Sequence, residues 1–329
     1  MTSSSRPTHS RRVVLAGLLT GALAPGARAQ PAYPDHVLRG IVPFSPGGAS
    51  DILARLYADQ LGRALGQAVV VENRPGAGGN VGIQAAVQAK PDGYTILLCS
   101  IATTQNPAVF RNLPYDPFKD LTLVAKLGEA QFVIAVNRVR MPVEDLRGFL
   151  DLLRRNPGKF NAAAAAVGTQ LAIEVFRIQN GLNFEIVRYS GAGQASTARL
   201  TGETDFIIVD AAPLGAIAGD PKIRFLAVTG ADRLPAYPDV PTTREAGLPD
   251  YQESSHFGAY LPAGVPASIV DRLHATLNEI NQDPGVIRKL HGLGWTPVRI
   301  SRQDFERFYR ADIAKWQEIV RAAGISPLD

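Results

Sequence analysis

IVPFSPGGASD, residues 41–51, is an apolar strand (Ile41, Val42, Phe44) running into a Pro46-Gly47-Gly48 turn. An amphipathic segment follows, with Leu53, Leu56, Tyr57 and Leu61 on one face, so the pattern is strand, glycine turn and helix N-terminus. Such a terminus presents unpaired backbone N–H groups and a partial positive charge, which makes it a natural seat for a small anion. That guest is a phosphate on a cofactor, a substrate under chemical attack, or a carboxylate that is only held.

Working outward, apolar β-rich runs alternate with helical patterns. Strands are expected at 37–44, 68–72, 95–99, 121–127, 132–136, 185–189, 205–209 and 223–228, and helices at 50–65, 81–89, 143–155, 169–179, 194–200 and 213–218. This alternation predicts an α/β protein with largely parallel sheets covered by helices. From Pro266 the chain turns helical (268–281, 286–290, 303–323), the last helix carrying a stripe of Phe305, Phe308, Ile313, Trp316, Ile319 and Val320. Two apolar segments, 132–137 and 256–262, have the look of crossings between domains. They predict one lobe from 31–133 and 257–329, a second from 134–256, and a cleft between them, where α/β proteins place ligands.

The first thirty residues form a separate unit. Arg11-Arg12 precedes a short apolar run (13–23) that ends in Ala27-Arg28-Ala29, a small-x-small cleavage pattern. Residues 1–30 are thus expected to be a cleavable export signal, cut near Ala29, of either the secretory or the twin-arginine kind. The net charge is +4. Because residues 1–30 hold Arg6, Arg11, Arg12 and Arg28 and no acidic residue, the mature chain is close to neutral, and nothing in it argues for nucleic acid or an anionic membrane surface. The single cysteine, Cys99, lies in an apolar run and reads as a buried structural thiol.

Enzyme motifs are missing. The Gly47-Gly48 turn lacks the P-loop spacing and its lysine; Gly76-Ala77-Gly78-Gly79-Asn80-Val81-Gly82 has Val81 where a dinucleotide fingerprint needs glycine, and reads as a close-packed turn. The five histidines fall at no metal-ligand spacing, and no G-x-S-x-G elbow occurs. No cofactor or metal is therefore expected, and His256, beside the second crossing, is the histidine with the most suggestive position. What remains is binding apparatus. A hydroxyl- and amide-rich loop (100–106) follows one strand, and Gly168-Thr169 and Tyr189-Ser190-Gly191-Ala192-Gly193 precede helices in the second lobe.

At these residues the chain resembles the periplasmic substrate-binding proteins of tripartite tricarboxylate transporters, the TctC or Bug family. The matching runs are VPFSPGGASD (42–51), VVVENRPGAGGNVG (69–82), KPDGYTILLCS (90–100), NLPYDPFKDLTLV (112–124), LAVTGADRLPAYPDVPTTREAGLPDY (226–251) and LPAGVP (261–266). The resemblance implies a type II periplasmic binding protein fold, two lobes with a ligand cleft between them. It implies a monomeric receptor that captures a small carboxylate there and passes it to inner-membrane transporter subunits or to a sensor ectodomain. First-lobe contacts map to Phe44, Ser45, Gly47, Gly48, Asp51, Ser100, Thr103 and Asn106, and second-lobe contacts to Thr169, Tyr189, Gly191, Gly193, Asp205 and Asp210. Asp51 has a competing role as a first-turn carboxylate stabilising its own helix.

The second lobe departs from the family pattern. Residues 161–174 read NAAAAAVGTQLAIE without the usual histidine, Arg188-Tyr189-Ser190-Gly191 replaces P-Y-K-G, and His256 stands where a tryptophan is customary. Arg188 is then either a carboxylate clamp or a solvent-facing cation. The rival functions are a cleft enzyme acting on a carboxylated substrate and a sensor or interaction protein whose pocket has degenerated.

Overall fold

A computed structural model describes residues 1–2, 33–164, 167–189, 192–322 and 324–328. Apart from its first two residues, the expected signal, 1–30, lies outside them. From Tyr33 the chain runs β1 (Leu38–Val42), α1 (Ala49–Leu65), β2 (Val69–Asn73), α2 (Asn80–Val87), β3 (Thr95–Ser100), α3 (Ala102–Val109), β4 (Leu121–Asn137), α4 (Leu146–Arg155), β5 (Asn161–Ala164) and α5 (Val167–Gln179). It continues through β6 (Glu185–Arg188), α6 (Ala192–Thr201), β7 (Phe206–Asp210), β8 (Ile223–Val228), β9 (Ser254–Pro262), α7 (Ala267–Ile280), α8 (Pro284–Gly292), β10 (Trp295–Pro297) and α9 (Arg302–Ala322).

The strands lie in the order β2-β1-β3-β9-β4-β7-β5-β6, with β8 and β10 also paired to β4. The sheet is mixed rather than largely parallel. β1 pairs in parallel with β2 and β3, and β5 with β6 and β7, while β9 and β4 run antiparallel through the middle. The expected strands at 121–127 and 132–136 are one strand of 17 residues. Its first part pairs with β9 from Leu121 to Gln131, and the rest pairs with β7 and β8 from Phe132 onward. Gly128 falls in the gap between the two expected strands, and it is there for packing. A Cβ on it would lie 3.2 Å from Thr296 O and 3.4 Å from the Trp295 ring, where β10 docks.

Period-two alternation buries both faces of each half. In the first half Leu38, Val42, Ile96 and Leu98 face α1 and α7, whereas Ile41, Leu97 and Cys99 face Phe305, Tyr309 and Ile313 of α9. In the second, Ile134, Val136, Phe206 and Ile208 face Phe149 and Phe176, and Val133, Ala135, Ile207 and Val209 face the other way. Cys99 is fully buried, and burial pushes its thiol up. The final helix joins the two cores: Phe305, Tyr309 and Ile313 belong to the first half, Trp316 and Val320 to the second.

Residues 102–109 form a helix, α3, where the sequence predicts a loop. Its Thr103, Thr104, Gln105 and Asn106 are all fully buried. Pro107 lies inside it and has no N–H to give the carbonyl of Thr103, four residues back. That carbonyl accepts instead from the Tyr309 hydroxyl at 3.0 Å, so α9 supplies the bond that the proline withholds.

Candidate functional site

The ends of strands from both halves converge on a cavity of about 660 Å3. On the first side lie the turn after β1, the turn after β2 and the start of α3; on the second lie the start of α5, the end of β6 and the end of β7. Phe132 of β4 and Ser255 of β9 stand between them. Openings at the carboxyl ends of strands are where such sheets hold ligands.

The turn after β1 is built to leave a helix end open. Gly47 has φ 83°, a left-handed conformation that suits glycine, and Gly48 is the N-cap of α1 with no side chain to bond its first amides. Asp51, 4 % exposed, is not on the cavity wall. Its carboxylate accepts from Gly47 N at 3.0 Å, Asn73 Nδ2 at 2.8 Å and Arg55 Nε at 3.0 Å, and Asn73 Nδ2 also donates to Phe44 O at 3.0 Å. Burial works to raise the carboxyl, but the bonds from Arg55, Gly47 and Asn73 outweigh it and hold Asp51 below the ordinary carboxylate range. Asp51 thus staples the turn from behind, in addition to its place in the first turn of α1.

The second glycine cluster also reaches the cavity. Gly76, Ala77, Gly78 and Gly79 all line it and all have positive φ. Gly82 is a packing glycine, because a Cβ there would lie 2.6 Å from Pro43 Cα. The close-packed turn was legible, and its exposure to the ligand cavity was not.

Of the residues named from sequence, Phe44, Ser45, Gly47, Gly48, Ser100, Asn106, Thr169, Tyr189 and Asp210 come together on the wall. Thr103 does not: its hydroxyl pairs with Tyr260 OH at 3.0 Å inside the first core. Asp205 does not either. Fully buried, it accepts from Arg140 Nε and Asn161 N, each at 2.8 Å, at the entry of β7. Asp210 is at the exit, five residues or about 16 Å further on, so one strand cannot bring both to the cleft. Gly191 lies outside the described residues, and Gly193 falls in the first turn of α6.

Arg188 is exposed and lines the cavity, with no ion-pair partner among the described residues. His256 is buried behind the wall, edge-on to Phe308 and 3.9 Å from Asp312, and burial lowers it to about 4, so it is neutral. Gln105, fully buried and on the wall, belongs to the amide-rich run 100–106 but not to the contacts expected from sequence. Asp210 Oδ1 has no hydrogen-bond partner among the described residues, and burial raises the carboxyl to about 7. No group of three His, Cys, Asp or Glu among the described residues is placed to hold a metal.

Two half-sheets sharing a long central strand, with an open helix end facing a cleft between them, define a solute-binding protein of the two-lobed periplasmic type. The comparisons agree. The chain belongs to the TctC family, the tripartite tricarboxylate transporter family receptors, whose model matches residues 53–325. It is 31 % identical over 296 residues to Protein BugT of Bordetella pertussis, covering 89 % of this chain and 90 % of that one. Among solved structures it is similar to R. palustris Rpa4515 with adipate, with TM-score 0.85 and 31 % identity over 90 % of this chain and 100 % of that one. It is also similar to MatC from Rhodopseudomonas palustris with bound malate, with TM-score 0.80 and 28 % identity over 88 % of this chain and 100 % of that one.

Proposed function

We propose that this protein is a periplasmic receptor that captures a small carboxylate in the cleft and delivers it to a tripartite transporter in the inner membrane, without catalysis and as a monomer. The observation that carries this reading is the open N-terminus of α1 at Gly47-Gly48 facing a cavity that also holds Arg188, an arrangement suited to an anion held by backbone amides and one cation. Structures similar to this one hold adipate and malate, which supports a carboxylate as the guest. No helix among the described residues is long and apolar enough to cross a membrane. The transporter and the export signal come from membership of a receptor family and from residues 1–30. Residues 31–133 with 257–329 make one lobe in this reading, and 134–256 the other.

The ligand contacts are then Phe44, Ser45, Gly47, Gly48, Ser100, Asn106, Thr169, Tyr189 and Asp210, joined by Arg188 and the turn at 76–79. Thermal unfolding of the purified protein against a panel of small mono- and dicarboxylates tests this. A bound ligand at about 100 times its dissociation constant adds about 2.7 kcal/mol of stability. Stabilisation by a carboxylate recovered chemically unchanged is the expected result. No shift with any carboxylate, or turnover of one, refutes the reading.

A further inference from the structure

Three residues that line the cavity carry polar side-chain atoms that are shielded from solvent and have no hydrogen-bond partner among the described residues: Gln105 Oε1 and Nε2, Asn106 Oδ1 and Asp210 Oδ1. Gln105 and Asn106 are themselves fully buried. The orientation of the Asn106 amide is fixed by its network, since its nitrogen donates to Asn80 Oδ1 at 2.7 Å and to Gly78 O at 3.1 Å, and turning it over would set an acceptor against two acceptors. Its oxygen is therefore an acceptor without a donor. Gln105 needs one donor and one acceptor whichever way it points, and its tip reaches the opposite side of the cleft: a Cβ on Gly168, at the start of α5, would lie 2.7 Å from Gln105 Oε1.

A simple alkane dicarboxylate cannot serve the two amide oxygens among these atoms. Its oxygens accept, so it can engage Gln105 Nε2, Arg188 and the open amides of α1, and it leaves the two amide oxygens buried and unpaired. Sites with buried groups left unpaired by a guest discriminate strongly against it. Resting on the carboxylate-receptor reading above, we infer that the ligand carries a hydrogen-bond donor, a hydroxyl or an ammonium, beside its carboxylate, and that the adjacent amides of Gln105 and Asn106 are the determinant that selects it. Asp210, at the end of β7, adds a further polar oxygen from the other half.

Calorimetric titration of the purified protein with sets sharing one carbon skeleton tests this. Each set, of four to six carbons, holds the unsubstituted dicarboxylate, its 2-hydroxy form and its 2-amino form, and the last two arms separate hydroxyl from ammonium. In at least one set a substituted ligand is expected to bind tenfold or more tighter than its parent, and in Gln105→Leu and Gln105→Met, checked by their melting curves, that ratio is expected to narrow to threefold or less. Parents that bind as tightly as their substituted forms in every set overturn the inference and leave the receptor reading standing. A ratio that survives both substitutions overturns it as well, by moving the recognition elsewhere. Failure of every carboxylate to bind overturns both readings together.

Discussion

Asp51→Asn tests whether the glycine turn is held from behind. The carboxylate has one oxygen facing Gly47 N–H and Arg55 Nε and the other facing Asn73 Nδ2 and Arg55 Nη2. An amide of the same shape has one acceptor and one donor, so in either orientation its NH2 meets the N–H of Gly47 or the Nδ2 of Asn73. Asn73 cannot turn over to compensate, because its Oδ1 accepts from Arg55 and its Nδ2 also serves Phe44 O. The Asp51 side chain is only 6 % exposed, so the unpaired donor costs about 1–3 kcal/mol. The lost ion pair adds no more than about 1 kcal/mol, because the Arg55 side chain is 54 % exposed and screened. The sum is about 1–4 kcal/mol, a fall of roughly 2–6 °C in melting temperature at about 2.1 cal/mol/K of unfolding entropy per residue. A carboxyl lowered by folding stabilises the folded state fully above its unfolded value of 3.8 and loses that contribution as pH falls through the folded value. The gap between wild type and variant is therefore constant from pH 5 to 8 and closes below about pH 4. Urea midpoints for both proteins across that range measure it. A difference under about 0.5 kcal/mol, or one that persists unchanged at the acid end, refutes the stapling role.

Gly82→Ala drives a methyl to 2.6 Å from Pro43 Cα and 2.8 Å from Arg74 O, both backbone atoms that cannot rotate away. A loss of about 1–3 kcal/mol in denaturant unfolding is expected, together with weaker carboxylate binding, because Pro43 leads into the Phe44–Gly48 turn. Tyr309→Phe leaves the Thr103 carbonyl unpaired beneath Pro107 and is expected to cost about 1–2 kcal/mol. In a Pro107→Ala background, where residue 107 regains its N–H, the cost should fall measurably, and a double-mutant cycle reads the difference. Asp210 is raised by burial to about 7. Between about pH 4 and 7 the folded chain keeps a proton that the unfolded chain gives up, so stability declines as pH rises through that window. Asp210→Asn should remove that part of the decline, and parallel pH profiles for the two proteins would contradict the assignment.

The sequence was most readable where backbone chemistry and burial periodicity agree. Residues 41–51 contain a strand, a positive-φ glycine and an amphipathic helix, and each signal is local, so α1 and β1 emerge within a residue or two of expectation. Where tertiary contacts decide, reading failed. β5 is Asn161–Ala164, three alanines with poor intrinsic β-propensity. It is a strand because β6 and β7 pair with it on either side and both of its faces are buried. α3 looks like a loop by composition, and it is a helix because Tyr309 and Tyr260, more than 150 residues away, satisfy its polar groups.

The same division separates the parts of the site. Glycine turns announce themselves because the conformation they need is written in the residue type. Whether a polar side chain is satisfied depends on what the rest of the chain brings to it, and nothing in Thr103-Thr104-Gln105-Asn106 says which of the four is left over. Folding pairs Thr103 with Tyr260 and bonds the Thr104 hydroxyl to Ile101 O. It also anchors the Asn106 nitrogen and leaves Gln105 with no partner on either amide atom among the described residues. A fully buried amide left unpaired weakens a fold unless something else completes it. Gln105 stands on the wall of the cleft, where the ligand inferred above would complete it. The residue least visible in the sequence is therefore the one that says most about what the cleft holds.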